Sequence, residues 1–182
     1  MKHYSIIFAV TCLLVSLSSC EKKDYSSYPP TWKGFQFTCN GQEVSTRNGI
    51  FAGDKITITA LQDQKGHLIN ATTYNWSITA PVLLEDGLTY KDSLFTFPAN
   101  HTNYDGYTDG SNDPSITFTI PRNALGTATV KFSATYAFSG SGIQVSDGGN
   151  YESGNASGYI LSSSSAAYGK ANGSARFIIN EK

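Results

Sequence analysis

Asp105, Asp109 and Asp113 stand four residues apart in segment 100–114, with Asn103 and Asn112 beside them. Hard oxygen donors gathered on one segment are what a calcium ion takes. The EF-hand pattern is nevertheless absent, because there is no Asp-x-Asp-x-Asp-Gly core and no closing glutamate, and Asp-Gly and Asn-Asp-Pro are ordinary turn sequences. The expectation is a plain polar loop without a cofactor, calcium at the three aspartates being the alternative. Glu85, Asp86 and Asp92 add carboxylates of the kind that glycoside hydrolysis uses in pairs, but no sequence spacing brings two of them to one place. Beyond the first three residues only His67 and His101 remain, too few for a three-histidine zinc site. No Gly-x-Ser-x-Gly elbow, phosphate-cradling Gly-x-x-x-x-Gly-Lys or dinucleotide fingerprint occurs. An enzyme is therefore not expected. Tyr104 and Tyr107, in the aspartate-bearing segment, and Tyr151 and Tyr159, in a Gly/Ser/Asn-rich stretch at 139–174, are the candidate ligand contacts. Tyrosine offers a rigid apolar face with a hydroxyl, suited to a sugar ring or a protein contact. The same residues can instead cover an open strand edge.

Thirteen Lys and Arg against fourteen Asp and Glu give a formal charge of −1. That balance leaves no basic field for nucleic acid, which is excluded as an expected partner. The N-terminus is different in kind. Lys2 and His3 precede an almost wholly apolar run at 6–17, and Ser18 and Ser19 then meet Cys20. A charged start, an apolar run of about half the ~20 residues that span a bilayer, and small residues before a cut are the anatomy of a secretory leader. Leu17-Ser18-Ser19-Cys20 resembles the lipobox of bacterial lipoproteins, in which the cysteine thiol takes a diacylglycerol before cleavage. The resemblance implies a leader at 1–19, lipidation of Cys20 and a membrane held through the lipid. Glu21, not Asp, follows the cysteine, which in that resemblance favours the outer membrane. The charged run 21–24 is similar to the surface-export signals of Bacteroidota lipoproteins, implying display on the cell surface. Asp92-Ser93-Leu94 resembles the O-glycosylation motif of secreted proteins of the same group, making Ser93 a candidate acceptor.

With Cys12 in the leader and Cys20 acylated, Cys39 has no partner for an intramolecular disulfide, so the fold must be held by its core. Residues 20–31, ending in Pro29-Pro30-Thr31, read as the lipidated cysteine and a flexible tether, and 32–182 as one domain. Seventeen Gly, eleven Tyr and ten Phe in 182 residues, only 15% of them charged, are a strand-and-turn composition. The apolar period is two. Phe35, Phe37 and Cys39 alternate with polar residues up to the Asn40-Gly41 turn, as do Ile56, Ile58 and Ala60, then Tyr74, Trp76 and Ile78, then Ile116, Phe118 and Ile120. The longest run is Val130, Phe132, Ala134, Tyr136 and Phe138; Phe177 and Ile179 close the chain, and Phe95 and Phe97 suggest a shorter strand. Strands apolar on one side are satisfied by two sheets laid face to face, and an all-β antiparallel sandwich with long polar loop insertions is expected.

The runs 53–60, 74–78, 115–121 and 126–134 resemble the B, C, E and F strands of immunoglobulin-like domains of the polycystic-kidney-disease (PKD) type, with Trp76 as the core tryptophan of strand C. Trp76-Ser77-Ile78-Thr79-Ala80-Pro81 replaces the Trp-Asp-Phe-Gly-Asp-Gly turn of those domains, so a role carried by that turn does not transfer. The resemblance implies an immunoglobulin-like sandwich acting as a spacer or as a contact for a glycan or an envelope protein. A lipid-anchored, non-enzymatic binding or adhesion module is thus the expected function. Its rivals are a structural spacer or assembly subunit using an exposed edge strand and, behind that, a small glycan hydrolase using loop carboxylates.

Overall fold

The computed structural model describes residues 29–108, 113–139, 150–151, 154–159 and 166–182. In chain order the strands are β1 (Thr31–Cys39), β2 (Gln42–Glu43), β3 (Lys55–Gln64), β4 (Ile69–Leu83), β5 (Tyr90–Thr96), β6 (Asn100–Thr108), β7 (Ser115–Thr119), β8 (Gly126–Ser139), β9 (Asn150–Tyr151), β10 (Gly154–Tyr159) and β11 (Ala166–Ile179). No helix occurs among the described residues. One sheet has the order β2-β1-β3-β7 and the other β5-β4-β8-β11-β10-β9, and β6 pairs with β4 as well. Because β8 pairs with β4 over Ile69 to Thr79, β5 (on Ser77 to Leu83) and β6 (on Ile69 to Tyr74) both lie along the opposite edge of β4. The paired strands are antiparallel throughout.

The period of two read from the sequence is the packing. Ile56, Ile58 and Ala60 of β3, Trp76 and Ile78 of β4, Val130, Phe132, Ala134 and Tyr136 of β8, and Phe177 and Ile179 of β11 are buried between the sheets. Thr57 and Thr117, one residue out of phase, face solvent on the first sheet with their hydroxyls 3.1 Å apart. Phe132 is the hub of an aromatic cluster, with ring centroids 4.5 Å from Trp76, 5.1 Å from Trp32, 5.9 Å from Tyr74 and 6.3 Å from Phe35. Edge-to-face and tilted pairs of this kind add to the burial of their area. The Asn40-Gly41 turn has φ of 52° and 78°, the paired left-handed conformation of a two-residue hairpin.

The space between the sheets is covered on both flanks. On one, Phe95 of β5 and Phe97 reach across to Phe118 of β7, at 5.1 and 6.0 Å. On the other, segment 46–52 runs beside the end of β11: Ile178 N donates to Thr46 O, Asn180 N to Ile50 O and Ala52 N to Asn180 O. The Asn180 side-chain amide also donates to Ile50 O at 3.0 Å, which seals this seam.

Three expectations are corrected. Segment 100–114 is not a loop throughout, since 100–108 form β6, which supplies the hydrogen-bond partner that the first half of β4 needs on that edge. Segment 139–174 is not one insertion, because its last nine residues belong to β11, paired with β8 along its whole length. The small residues of β11 have a volume reason: Gly173 lies opposite Phe132, Ala175 opposite Val130 and Gly169 opposite Tyr136, whereas Phe177 lies opposite Ala128. Finally, Pro29 and Pro30, expected in the tether, are buried, and Thr31 already pairs with Gln64.

At the end of the sandwich where the chain enters, the Tyr136 hydroxyl is buried near Tyr74 and Tyr104, and the loss of solvent holds its phenol well above the usual value of 10.0. A raised folded-state value means that the contribution is complete below the unfolded value near 10.0 and is lost as pH rises toward the folded one. Chemical denaturation in a pH series should show stability falling above that point, by up to about 1.4 kcal/mol per pH unit for one proton. Tyr136→Phe should flatten this alkaline limb; an identical limb in the variant would show that another group causes it.

Candidate binding surface

The hairpin joining β4 to β5 is tightly built. Leu84 N donates to Thr89 O at 2.8 Å and Gly87 N to Leu84 O at 3.0 Å, while Gly87 takes a φ of 69°, where a glycine carries no Cβ penalty. Asp86 Oδ1 accepts from the amides of Leu88 and Thr89, each at 2.9 Å. The Thr89 side chain and then these two amides hold the Asp86 carboxyl below its ordinary pKa. The cap is therefore complete at neutral pH and is released as pH falls through that depressed value.

This ordered turn presents apolar side chains to water. Leu88 is 87% exposed and Leu94 66%, with Leu84 and Tyr90 also exposed. Registers place Tyr90 opposite Leu83, Asp92 opposite Pro81 and Leu94 opposite Thr79. Leu125, whose amide donates to Pro81 O, and Ile178 near the end of β11 complete the set. All six large hydrophobics exposed among the described residues thus gather at one end of the larger sheet. Contiguous exposed apolar surface marks contact sites far more often than scattered single residues do.

Behind it, three described rows of that sheet's outer face are polar. Thr79, Thr129 and Arg176 form one cross-strand row, Ser77, Lys131 and Ser174 the next, and Asn75, Ser133 and Asn172 a third. Farther along, Thr73 Oγ1 and His101 Nδ1 are 2.7 Å apart, and His101 Nε2 lies 3.1 Å from Asn103 Oδ1. The His101 ring thus ties Thr73 of β4 to Asn103 of β6.

The structure places the sequence candidates in different settings. Trp76 is buried at the centre of β4, and Cys39 packs half-buried against the core. Tyr104 also packs on the core, its hydroxyl 3.4 Å from Thr72 Oγ1, so its ring serves the interior. Asp113 is exposed, and its Oδ1 accepts from Gln62 N at 2.9 Å, extending the β3–β7 seam. Asp105 falls in β6, away from any loop; its side chain and those of Tyr107, Tyr151 and Tyr159 lie outside the described residues, as do all of Asp109 and Cys20. Among the described residues no three of His, Cys, Asp and Glu gather closely enough to hold a metal ion. Ser93 lies in β5 opposite Ala80, half-buried between exposed Asp92 and Leu94. Leu84, Leu88, Tyr90 and Leu94 were not singled out from the sequence, although the alternation of Leu88, Tyr90 and Leu94 was there to be read.

No known protein family, curated protein or solved structure matches the chain.

Proposed function

We propose that this chain is a lipid-anchored, non-enzymatic binding module of the bacterial outer membrane, displayed at the cell surface, whose immunoglobulin-like domain of the PKD type contacts a protein or glycan partner. The immunoglobulin-like reading draws support from the strand order. β1, β3 and β7 correspond to A, B and E of one sheet, and β5, β4, β8 and β11 to C′, C, F and G of the other.

The observation that carries the functional reading is the polarity of the domain. The chain enters at Thr31, beside the β3–β4 connection, and the apolar cluster lies at the far end of β4, about 45 Å away for fifteen residues of strand. The nine residues from Cys20 to Tyr28 reach at most about 30 Å when fully extended, so the tether cannot fold back to cover that cluster. A lipid at one end and an uncovered apolar end opposite suit a protein that holds something away from the membrane.

A glycan array and a pull-down with the soluble form beginning at Glu21 test the reading. Saturable binding is expected in one of them, with at least a tenfold loss for the double variant Leu88→Ser/Leu94→Ser. Absence of saturable binding in both would remove the binding function.

A further inference from the structure

Strand β5 is the terminal strand of its sheet. Which of its backbone groups face outward follows from two hydrogen bonds: Leu84 N donates to Thr89 O, and Phe97 N donates to Trp76 O. Backbone groups in an antiparallel strand alternate between its two edges, so the odd-numbered residues from 89 to 97 address β4. The N–H and C=O groups of Tyr90, Asp92, Leu94 and Thr96 point the other way, to the edge where no described strand pairs. These residues also place their side chains on the outer face, where Tyr90 and Leu94 are exposed apolar groups flanking exposed Asp92.

We infer that this edge accepts an extended segment of a different polypeptide, which adds to the larger sheet as a new antiparallel strand, with apolar side chains against Tyr90 and Leu94 and a lysine or arginine against Asp92. The inference rests on the binding-module reading and makes its partner a polypeptide. A row of free amides and carbonyls matches another backbone, as in strand addition. Tyr90 and Leu94, on either side of Asp92, select the incoming side chains, and an opposite charge beside Asp92 stabilises the register while a like charge opposes it.

The same rule disfavours a second copy of this chain. Of the two-fold pairings that keep the faces aligned, those centred on Asp92 and on Lys91 oppose like charges and the full-length one, centred on Ser93, sets Asp92 against Leu94; the one centred on Leu94 avoids this but pairs only residues 92–96 of the strand, and the one centred on Tyr90 pairs only that residue. The membrane is an equally poor occupant, since a lipid surface offers no row of amides and carbonyls to pair with those of β5.

The test uses the chain beginning at Glu21 and a phage-displayed library of random linear decapeptides as the probe. Expected are enriched peptides with apolar residues four positions apart and a lysine or arginine midway between them, together with slowed amide exchange at Tyr90, Asp92, Leu94 and Thr96 in the complex. Leu94→Pro removes one outward donor, a change that edge strands tolerate. It should weaken these peptides at least tenfold with the melting temperature retained, while Lys131→Ala, on the polar face, leaves them unchanged. Should Leu94→Pro unfold the domain, the exchange pattern decides alone. Peptides without that spacing, protection elsewhere, or no enrichment would overturn strand addition. So would concentration-dependent dimerisation in sedimentation that Leu94→Pro abolishes, which would make the occupant a second copy. Glycan binding that survives Leu94→Pro would leave the binding module standing without strand addition; absence of both peptide and glycan binding would remove the module itself.

Discussion

Phe132→Ala should cost about 3 to 5 kcal/mol of stability, the range for emptying a buried phenylalanine site. The position is demanding because four aromatic rings meet that of Phe132, two on β1, Trp32 and Phe35, and two on β4, Tyr74 and Trp76. Gly173 lies directly opposite on β11 and has no side chain with which to refill the space. A cavity there cannot collapse without moving both sheets, which places the loss in the upper part of the range. In a domain of about 150 residues the melting temperature should fall by about 10 °C. The denaturation midpoint should drop with an unchanged slope, as for a stability change that leaves the exposed surface alone. Lys131→Ala, the adjacent exposed position, should stay within about 0.5 kcal/mol of the parent. A small loss at Phe132 would mean that the two sheets do not pack as described.

The second large effect concerns the anchor. With Cys20→Ala the full-length chain should no longer incorporate labelled fatty acid, and the leader, whose removal follows acylation, should stay attached. Each buried methylene of an acyl chain contributes about 0.8 kcal/mol, and two chains hold where one binds only reversibly. Among the described residues no helix is long and apolar enough to cross a membrane. The change should be close to all-or-none, and melting of the sandwich should not move, because Cys20 lies outside the described packing, which includes Pro29 and the residues after it. Labelled fatty acid in Cys20→Ala, or none in the parent chain, would overturn the lipid anchor.

The parts of the fold legible in the sequence were those where large apolar residues alternate. Ile56/Ile58, Trp76/Ile78 and Phe132/Ala134/Tyr136 were assigned to their strands and to the inner face by period alone, and they are buried there. What alternation could not reveal is a strand whose inner residues are small. Gly169, Gly173 and Ala175 look like loop composition until Tyr136, Phe132 and Val130 are seen opposite them. Strand β6 was hidden by its Asn, Asp and Gly, residues of turn propensity that pairing with β4 overrides. Trp32 was hidden by Pro-Pro-Thr before it, although it joins the central cluster.

The contact surface was less legible for a different reason. A leucine on the outer face of an edge strand has the same letter as one in the core, and only the register of β5 against β4 separates exposed Leu94 from inward Phe95. Tyr104 shows the converse, a tyrosine in a polar segment whose ring packs inside. Spacing gives the two faces of a strand but not which face meets another sheet.

The most direct measurement is photo-crosslinking in intact cells, with a photoreactive amino acid at Leu88 or Leu94 and, for comparison, at exposed Thr117 on the outer face of the smaller sheet. Discrete covalent adducts are expected at Leu88 and Leu94 and not at Thr117. Adducts at Thr117 alone, or at none of the three positions, would contradict an outward-facing contact surface at the hairpin end.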